Sequence, residues 1–157
     1  MQSELFEIPE EIRPSNDRWQ MGRYAEFMVC ALLTNLGYWV MHLDAPGFDL
    51  ILRGEGASLR VQVRSTSLNE GGYCSWMLQT GEYRSVEARR NGGSRLKTRL
   101  LSRSDTDLLA LFHHEFGATI FMPITDVRVS TLKFPVNQVR DHDARHSLER
   151  ALQCLEA

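Results

Sequence analysis

From about residue 17 to 36 apolar side chains recur at helical spacing, and after Glu26 they close around nearly the whole circumference of "EFMVCALLTNL". That pattern predicts a buried helix. Asp17, three before Gln20, offers a capping box, and Gly37 stands where a C′ glycine ends a helix. The period then changes to two. "YWVMHL" (38–43) has strand composition, "APG" turns the chain, and 48–53 is a second strand. "GEGA" (54–57) predicts a hairpin connection into a third strand at 58–65, and "YCSWMLQT" (73–80) a fourth. "NGG" at 91–93 interrupts the next stretch of chain, predicting a long loop or short irregular elements. "TDLLALFH" (106–113) and "ATIFMPI" (118–124) are two more apolar strands turned by "EFG". A last helix over 142–157 puts Ala144, Leu148, Ala151 and Leu155 on one face. The order of elements predicts an α/β fold with a mixed or mostly antiparallel central sheet and flanking helices.

Alternation in the hairpin separates two chemistries. With the turn centred near Glu55 and Gly56, Asp49 faces Gln62 and Ile51 faces Arg60. Leu50, Leu52, Leu59, Val61 and Val63 then share one apolar face, while Asp49, Gln62, Arg60, Arg64 and Arg53 share the other. An amphipathic hairpin with its polar side in water would look the same. Glu26 weighs against that bland reading: Val29, Cys30 and Leu33 lie on its own helical face, and a half-buried carboxylate there needs a cation, a donor or a metal.

The length of 157 residues sets one domain as the expectation, with a core over 20–127 and an acidic lead-in over 1–16. Hydrophobic residues at 43% and charged ones at 24% fit a soluble globular chain. No apolar run approaches a membrane span, and three widely spaced cysteines without a C-x-x-C disfavour structural zinc and a disulfide framework. A cytoplasmic location follows as an expectation. Net charge is −2, but between Arg84 and Arg103 seven basic residues face one acid, Glu87. Nearly all are arginines, whose planar fork matches phosphate, so this basic excursion (84–103) suggests a phosphate-rich partner. A solvated loop without a partner is its bland alternative.

The segment "GRYAEFMVCALLTNLGYWVMHLDAPGFDLIL" followed by "LRVQVRST" resembles the PD-(D/E)XK nuclease superfamily, in particular small bacterial or phage members whose motif ends in Q-x-K, with resolvases and homing endonucleases among them. The residues that carry the likeness are Gly22 and Glu26 on the helix, Pro46 and Asp49 at a strand start, then Gln62-Val63-Arg64; "DTDLLALF" and "IFMPITDV" resemble the next strand pair. The resemblance implies a restriction-endonuclease-like core and a Mg²⁺ or Mn²⁺ site formed by Glu26, Asp49, Gln62 and the Val63 carbonyl. Arg64 takes the place where an active-site lysine normally stands. Hard oxygen ligands suit Mg²⁺, which can acidify a water and neutralise a phosphorane. Gln62 in place of an acid lowers the ligand charge, and arginine cannot serve as a general base.

The expected function is a metal-dependent DNA endonuclease, with a catalytically inactive nucleic-acid-binding module on the same fold as the alternative. Arg60, Ser65, Thr66, Arg84, Arg89, Arg90, Arg95, Lys97 and Arg99 are the expected nucleic-acid contacts on duplex or branched DNA. A homodimer would suit cutting of two antiparallel strands. His142 and His146 have the spacing of a metal pair, yet a structural or surface role is the better reading. Trp19, Trp39 and Trp76 read as core or interface residues rather than as platforms for bases.

Overall fold

The structure, a computed structural model, describes residues 18–45, 47–54, 56–82 and 97–156. Helix α1 (Arg18–Asn35) opens it. Gly37 closes the helix at φ +94°, a conformation that costs glycine nothing. With it, Gly37 N–H reaches Thr34 O at 3.0 Å and Tyr38 N–H reaches Leu33 O at 3.1 Å, the paired bonds of a Schellman ending. Strands β1 (Trp39–Ala45), β2 (Phe48–Arg53) and β3 (Ser58–Thr66) come after it as an antiparallel meander. The hairpin register is as the alternation predicts, with Ile51 opposite Arg60 and Leu50 opposite Val61.

Next come β4 (Asn69–Glu70), β5 (Tyr73–Met77), β6 (Gln79–Glu82) and β7 (Lys97–Leu100). The chain then returns to the main sheet as β8 (Leu108–His113) and β9 (Ala118–Pro123). A 3₁₀ turn (Ile124–Asp126), β10 (Thr131–Pro135), helix α2 (Val136–Arg140) and helix α3 (Ala144–Glu156) complete it. The five-stranded sheet has the order β1-β2-β3-β8-β9; β3 and β8 run parallel and its other neighbours antiparallel, so the sheet is mixed. Strands β10-β5-β4 form a small second sheet, and β6 pairs with β7 in a separate ribbon.

The apolar hairpin face is core. Leu50, Leu52, Val61 and Val63 pack with Ala25, Val29 and Leu33 of α1 and with Leu148 and Ala151 of α3. On the opposite face Leu109, Leu111 and Ile120 meet Cys74, Trp76 and Leu78. Strand β8 is therefore buried at every residue, as a central strand covered on both sides must be. Each large aliphatic side chain so removed from water contributes roughly 1.5–3 kcal/mol before entropy is counted. No helix of the described residues is long and apolar enough to cross a membrane.

The structure departs from the sequence reading in three places. Among the described residues helix α1 is covered on one face only; Tyr24, Phe27 and Met28 are exposed because none of those residues forms a second layer over it. Residues 73–80 are two strands, broken at Leu78, whose N–H binds Ser130 O at 2.8 Å and whose carbonyl accepts from Leu101 N–H at 3.0 Å. That exchange of partners sends β5 and β6 into different sheets. The basic excursion ends in a regular strand, β7, and both β10 and α2 lie in a stretch without a strong period. Of the tryptophans read as core or interface residues, Trp76 is core, and Trp19 and Trp39 are exposed. The lead-in, the Asp17 cap and most of the excursion lie outside the described residues.

One ion pair fixes where β8 joins β3. The Arg60 guanidinium donates through Nε to Asp107 Oδ2 at 3.1 Å and through Nη2 to Oδ1 at 2.9 Å, and the Arg60 main-chain N–H adds a bond to Oδ2 at 2.9 Å. In return Asp107 N–H and the Thr106 hydroxyl donate to Arg60 O at 3.0 and 2.8 Å. Burial works against the Asp107 charge, but the donors from Arg60 prevail and hold its carboxyl below the ordinary value. Arg60→Met leaves that half-buried carboxylate with main-chain help alone. The expected loss is about 2 kcal/mol, read as a lower urea midpoint at unchanged slope; an unshifted midpoint would show the clamp to be dispensable.

Candidate active site

The register of β2 against β3 stops at Leu50 opposite Val61. One residue further, the side chain of Asp49 takes over from the main chain: its Oδ2 accepts the Val63 N–H at 2.7 Å and a hydrogen bond from Gln62 Nε2. The same Gln62 nitrogen lies 3.2 Å from Val63 O. A carboxylate, an amide and a main-chain carbonyl are thus gathered at the point where two strands part. The preceding turn places Asp49 there: β1 shifts register between His42 and Ala45, and the chain re-enters through Gly47. Gly47 has φ +92°, and a Cβ there would stand 3.3 Å from Asp105 O, so both conformation and space call for glycine.

Burial is the largest influence on Asp49 and pushes its carboxyl up to about 6; the Val63 N–H opposes that, the charge of Glu26 adds to it, and Arg64 and then His42 oppose it. Glu26 on α1 and Arg64 on β3 are therefore within electrostatic reach of Asp49. Arg64 is steered by the neighbouring ribbon, its Nη2 donating to Gln79 O of β6 at 3.0 Å. Glu26 is held from the helix side. His42 Nε2 donates to its Oε2 at 2.6 Å, and Arg23 Nη1 to the same oxygen at 3.1 Å.

The polar face of the hairpin thus divides. Asp49, Gln62, Val63 and Arg64 come together, with Glu26 at the border. Arg60 leaves for Asp107, giving its remaining donors to Ser104 O and Arg103 O at 2.9 and 2.7 Å, so a structural clamp occupies the side chain expected at nucleic acid. Arg53 lies over the Trp39 ring, 5.9 Å from its centroid. Arg99 grips Asp105 with two bonds of 2.7 Å, which hold the Asp105 carboxyl below its ordinary value. Ser65 and Thr66 are half-buried on β3, and the Thr66 hydroxyl accepts the Leu68 N–H at 3.1 Å. Arg84, Arg89, Arg90 and Arg95, and the side chain of Lys97, lie outside the described residues.

Sequence reasoning missed His42 and Arg23. The signal for His42 was present as a polar residue between Met41 and Leu43 in a mostly apolar strand, opposite Leu50 and hence on the helix side. Among the described residues no three His, Cys, Asp or Glu side chains gather as metal ligands, so a cation at Asp49 would draw on amide and main-chain oxygens as well. His142 is half-buried, and burial pushes its imidazole down.

No family model matches the sequence, and no curated protein does either. Among solved structures, a bacterial homing endonuclease, I-Ssp6803I, superposes with a TM-score of 0.62 at 16% identity, covering 90% of this chain and 95% of its own. The two share a fold, a mixed α/β sheet with flanking helices. The Holliday junction resolvase Hjc of Archaeoglobus fulgidus aligns at a TM-score of 0.41 and 16% identity over 76% of this chain and 87% of its own. In this chain Glu26 of α1 lies within electrostatic reach of Asp49 where β2 and β3 part, and the Gln79 carbonyl of β6 holds Arg64.

The raised carboxyl of Asp49 has a consequence for stability. A folded-state value near 6, above the ordinary 3.8, favours the native state at low pH and loses that advantage as the group ionises. Wild-type stability should fall by about 3 kcal/mol as pH rises from about 4 to above 6, other groups aside. Asp49→Asn keeps an oxygen for the Val63 N–H and cannot ionise. Its advantage over wild type in metal-free buffer should open across that window; a difference independent of pH would contradict the burial of the charge.

Proposed function

We propose that this chain is a divalent-cation-dependent nuclease acting on DNA. Asp49, Gln62, the Val63 carbonyl and Glu26 would hold Mg²⁺ or Mn²⁺, and Arg64 would face the scissile phosphate. The observation that carries this reading is the Asp49 carboxylate lodged where β2 and β3 part, bonded to Gln62 and Val63 N–H, in reach of one further carboxylate and one guanidinium. The donor chemistry fits a hard cation. A carboxylate whose proton affinity is raised by burial and by a second carboxylate gains from a positive charge beside it, and an amide turned about its bond offers oxygen where nitrogen stood. A cation bound there would acidify a water and offset charge on the phosphate.

The chain's own groups do the remainder. Arg64 is protonated at every working pH, so it takes no proton; anchored on Gln79 O, it can hold a phosphate oxygen and favour the charge that grows on it during attack. With Gln62 in place of an acid, the ligand charge is −2, which predicts weaker cation binding than three acids would give. For the partner, the reading is supported by the Arg-rich stretch between β6 and β7, because β6 is the strand that anchors Arg64. Arg84, Arg89, Arg90, Arg95 and Lys97 are the proposed DNA contacts, Arg60 and Arg99 being engaged with Asp107 and Asp105. A homodimer with paired sites would serve double-strand cutting.

Supercoiled plasmid with Mn²⁺ tests the proposal. Wild type should nick it; Arg64→Ala should slow nicking by about 100-fold, and Asp49→Asn should abolish it. In EDTA, Asp49→Asn should bind the same DNA at least as tightly as wild type, because it removes a negative charge near phosphate. Salt-sensitive binding without nicking, on duplex or branched DNA, would replace the enzyme with a binding module in which Arg64 is a phosphate contact.

A further inference from the structure

Two features at α1 have no place among the cation ligands: large aromatic side chains left in water, and two nitrogen donors, from Arg23 and from His42 of β1, closed on one carboxylate oxygen. Trp19 is 67% exposed and Phe27 58% exposed, though each belongs to a helix whose other face is core. Neither is idle. The Phe27 ring stacks on the imidazole of His42, with centroids 4.9 Å apart and planes 20° from parallel. Trp19 lies under the guanidinium of Arg23, 5.3 Å from its centroid. Those two braced side chains meet at Glu26 Oε2, at 2.6 Å from His42 Nε2 and 3.1 Å from Arg23 Nη1, and the two nitrogens stand 3.2 Å from each other.

We infer that His42 is a positioning residue for the cation site, fixing the carboxylate of Glu26 toward Asp49, and that Phe27 is the brace that sets the imidazole plane. The inference rests on the nuclease reading and its cation site. A glutamate on a helix has three rotatable bonds and enough reach to leave a site. A short bond to one of its oxygens from a ring locked between a strand and an aromatic face removes that freedom. Groups that bond to a ligating carboxylate typically matter by 10–100-fold in metal affinity. Approach from β1 matters too: His42 comes from the strand opposite Leu50, next to the residues that carry Asp49, so one imidazole ties α1 to the strand pair bearing the other carboxylate. Exposed aromatics on α1 then have a reason that core packing does not supply.

The test is Mn²⁺ titration of the intact chain, followed by calorimetry and by the rise in melting temperature, beside the Mn²⁺ dependence of plasmid nicking. His42→Ala should raise the Mn²⁺ concentration for half-effect by about tenfold while the rate at saturating Mn²⁺ stays within about twofold. His42→Gln, which retains an N–H donor, should recover part of that loss. Phe27→Ala removes no polar atom and sits on the surface; it should raise the half-effect about threefold with the metal-free melting temperature unchanged. Equal or tighter Mn²⁺ binding by folded His42→Ala overturns the inference and leaves the nuclease reading intact. Should His42→Ala fail to fold, Phe27→Ala and His42→Gln decide: wild-type Mn²⁺ binding by both overturns it. Absence of any Mn²⁺ effect on wild type overturns the inference together with the reading it rests on.

Discussion

A main-chain N–H that the sheet leaves without a main-chain acceptor organises this molecule. Beyond Leu50 and Val61 the ladder between β2 and β3 stops, and Val63 N–H is met by the Asp49 carboxylate instead. A buried amide left unanswered costs on the order of 1–3 kcal/mol, so the substitution of side chain for backbone is enforced energetically. It also compels a charge to sit where burial opposes it. Around that compelled charge the other groups have their meaning: Gln62 shares it, Arg64 offsets it, Glu26 aggravates it, and His42 with Arg23 offsets Glu26 in turn.

The two arginines of β3 illustrate how position decides role. Arg60 and Arg64 are separated by four residues and share a strand face by parity. Arg60 meets a carboxylate that matches it bidentately and becomes part of the frame. Arg64 meets a main-chain carbonyl of the neighbouring ribbon, a neutral acceptor that steers it toward Asp49.

Much of this was legible beforehand, for identifiable reasons. The hairpin declared its own register, because a two-residue period leaves one way to place Leu50, Leu52, Val61 and Val63 on a single buried face. Asp49 and Gln62 were visible as polar residues opposite each other in that register. The break at Leu78 was not, since periodicity reads side chains while the break is made by main-chain partners, Ser130 and Leu101, distant in sequence. Nor was the fate of Arg60: nothing near it in the chain names Asp107. The apolar circumference of α1 misled for a related reason, in that composition reports how much apolar surface exists and not whether a second layer arrives to cover it.

The parallel pairing of β3 with β8 carries a kinetic consequence. Strands β1, β2 and β3 close on each other through short local turns, but β8 reaches β3 only after the chain has made β4 to β7 and come back. Loop-closure entropy makes the first event early and the second late. Asp49 and Gln62 belong to the early, local half, whereas the Gln79 anchor of Arg64 belongs to β6, outside the meander. Asp49, Gln62 and Arg64 are therefore brought together by one hairpin, and the carbonyl that steers Arg64 is added when β6 arrives. Chain connectivity thereby sets assembly in order: the pocket gathers its charges before the guanidinium among them is fixed in place.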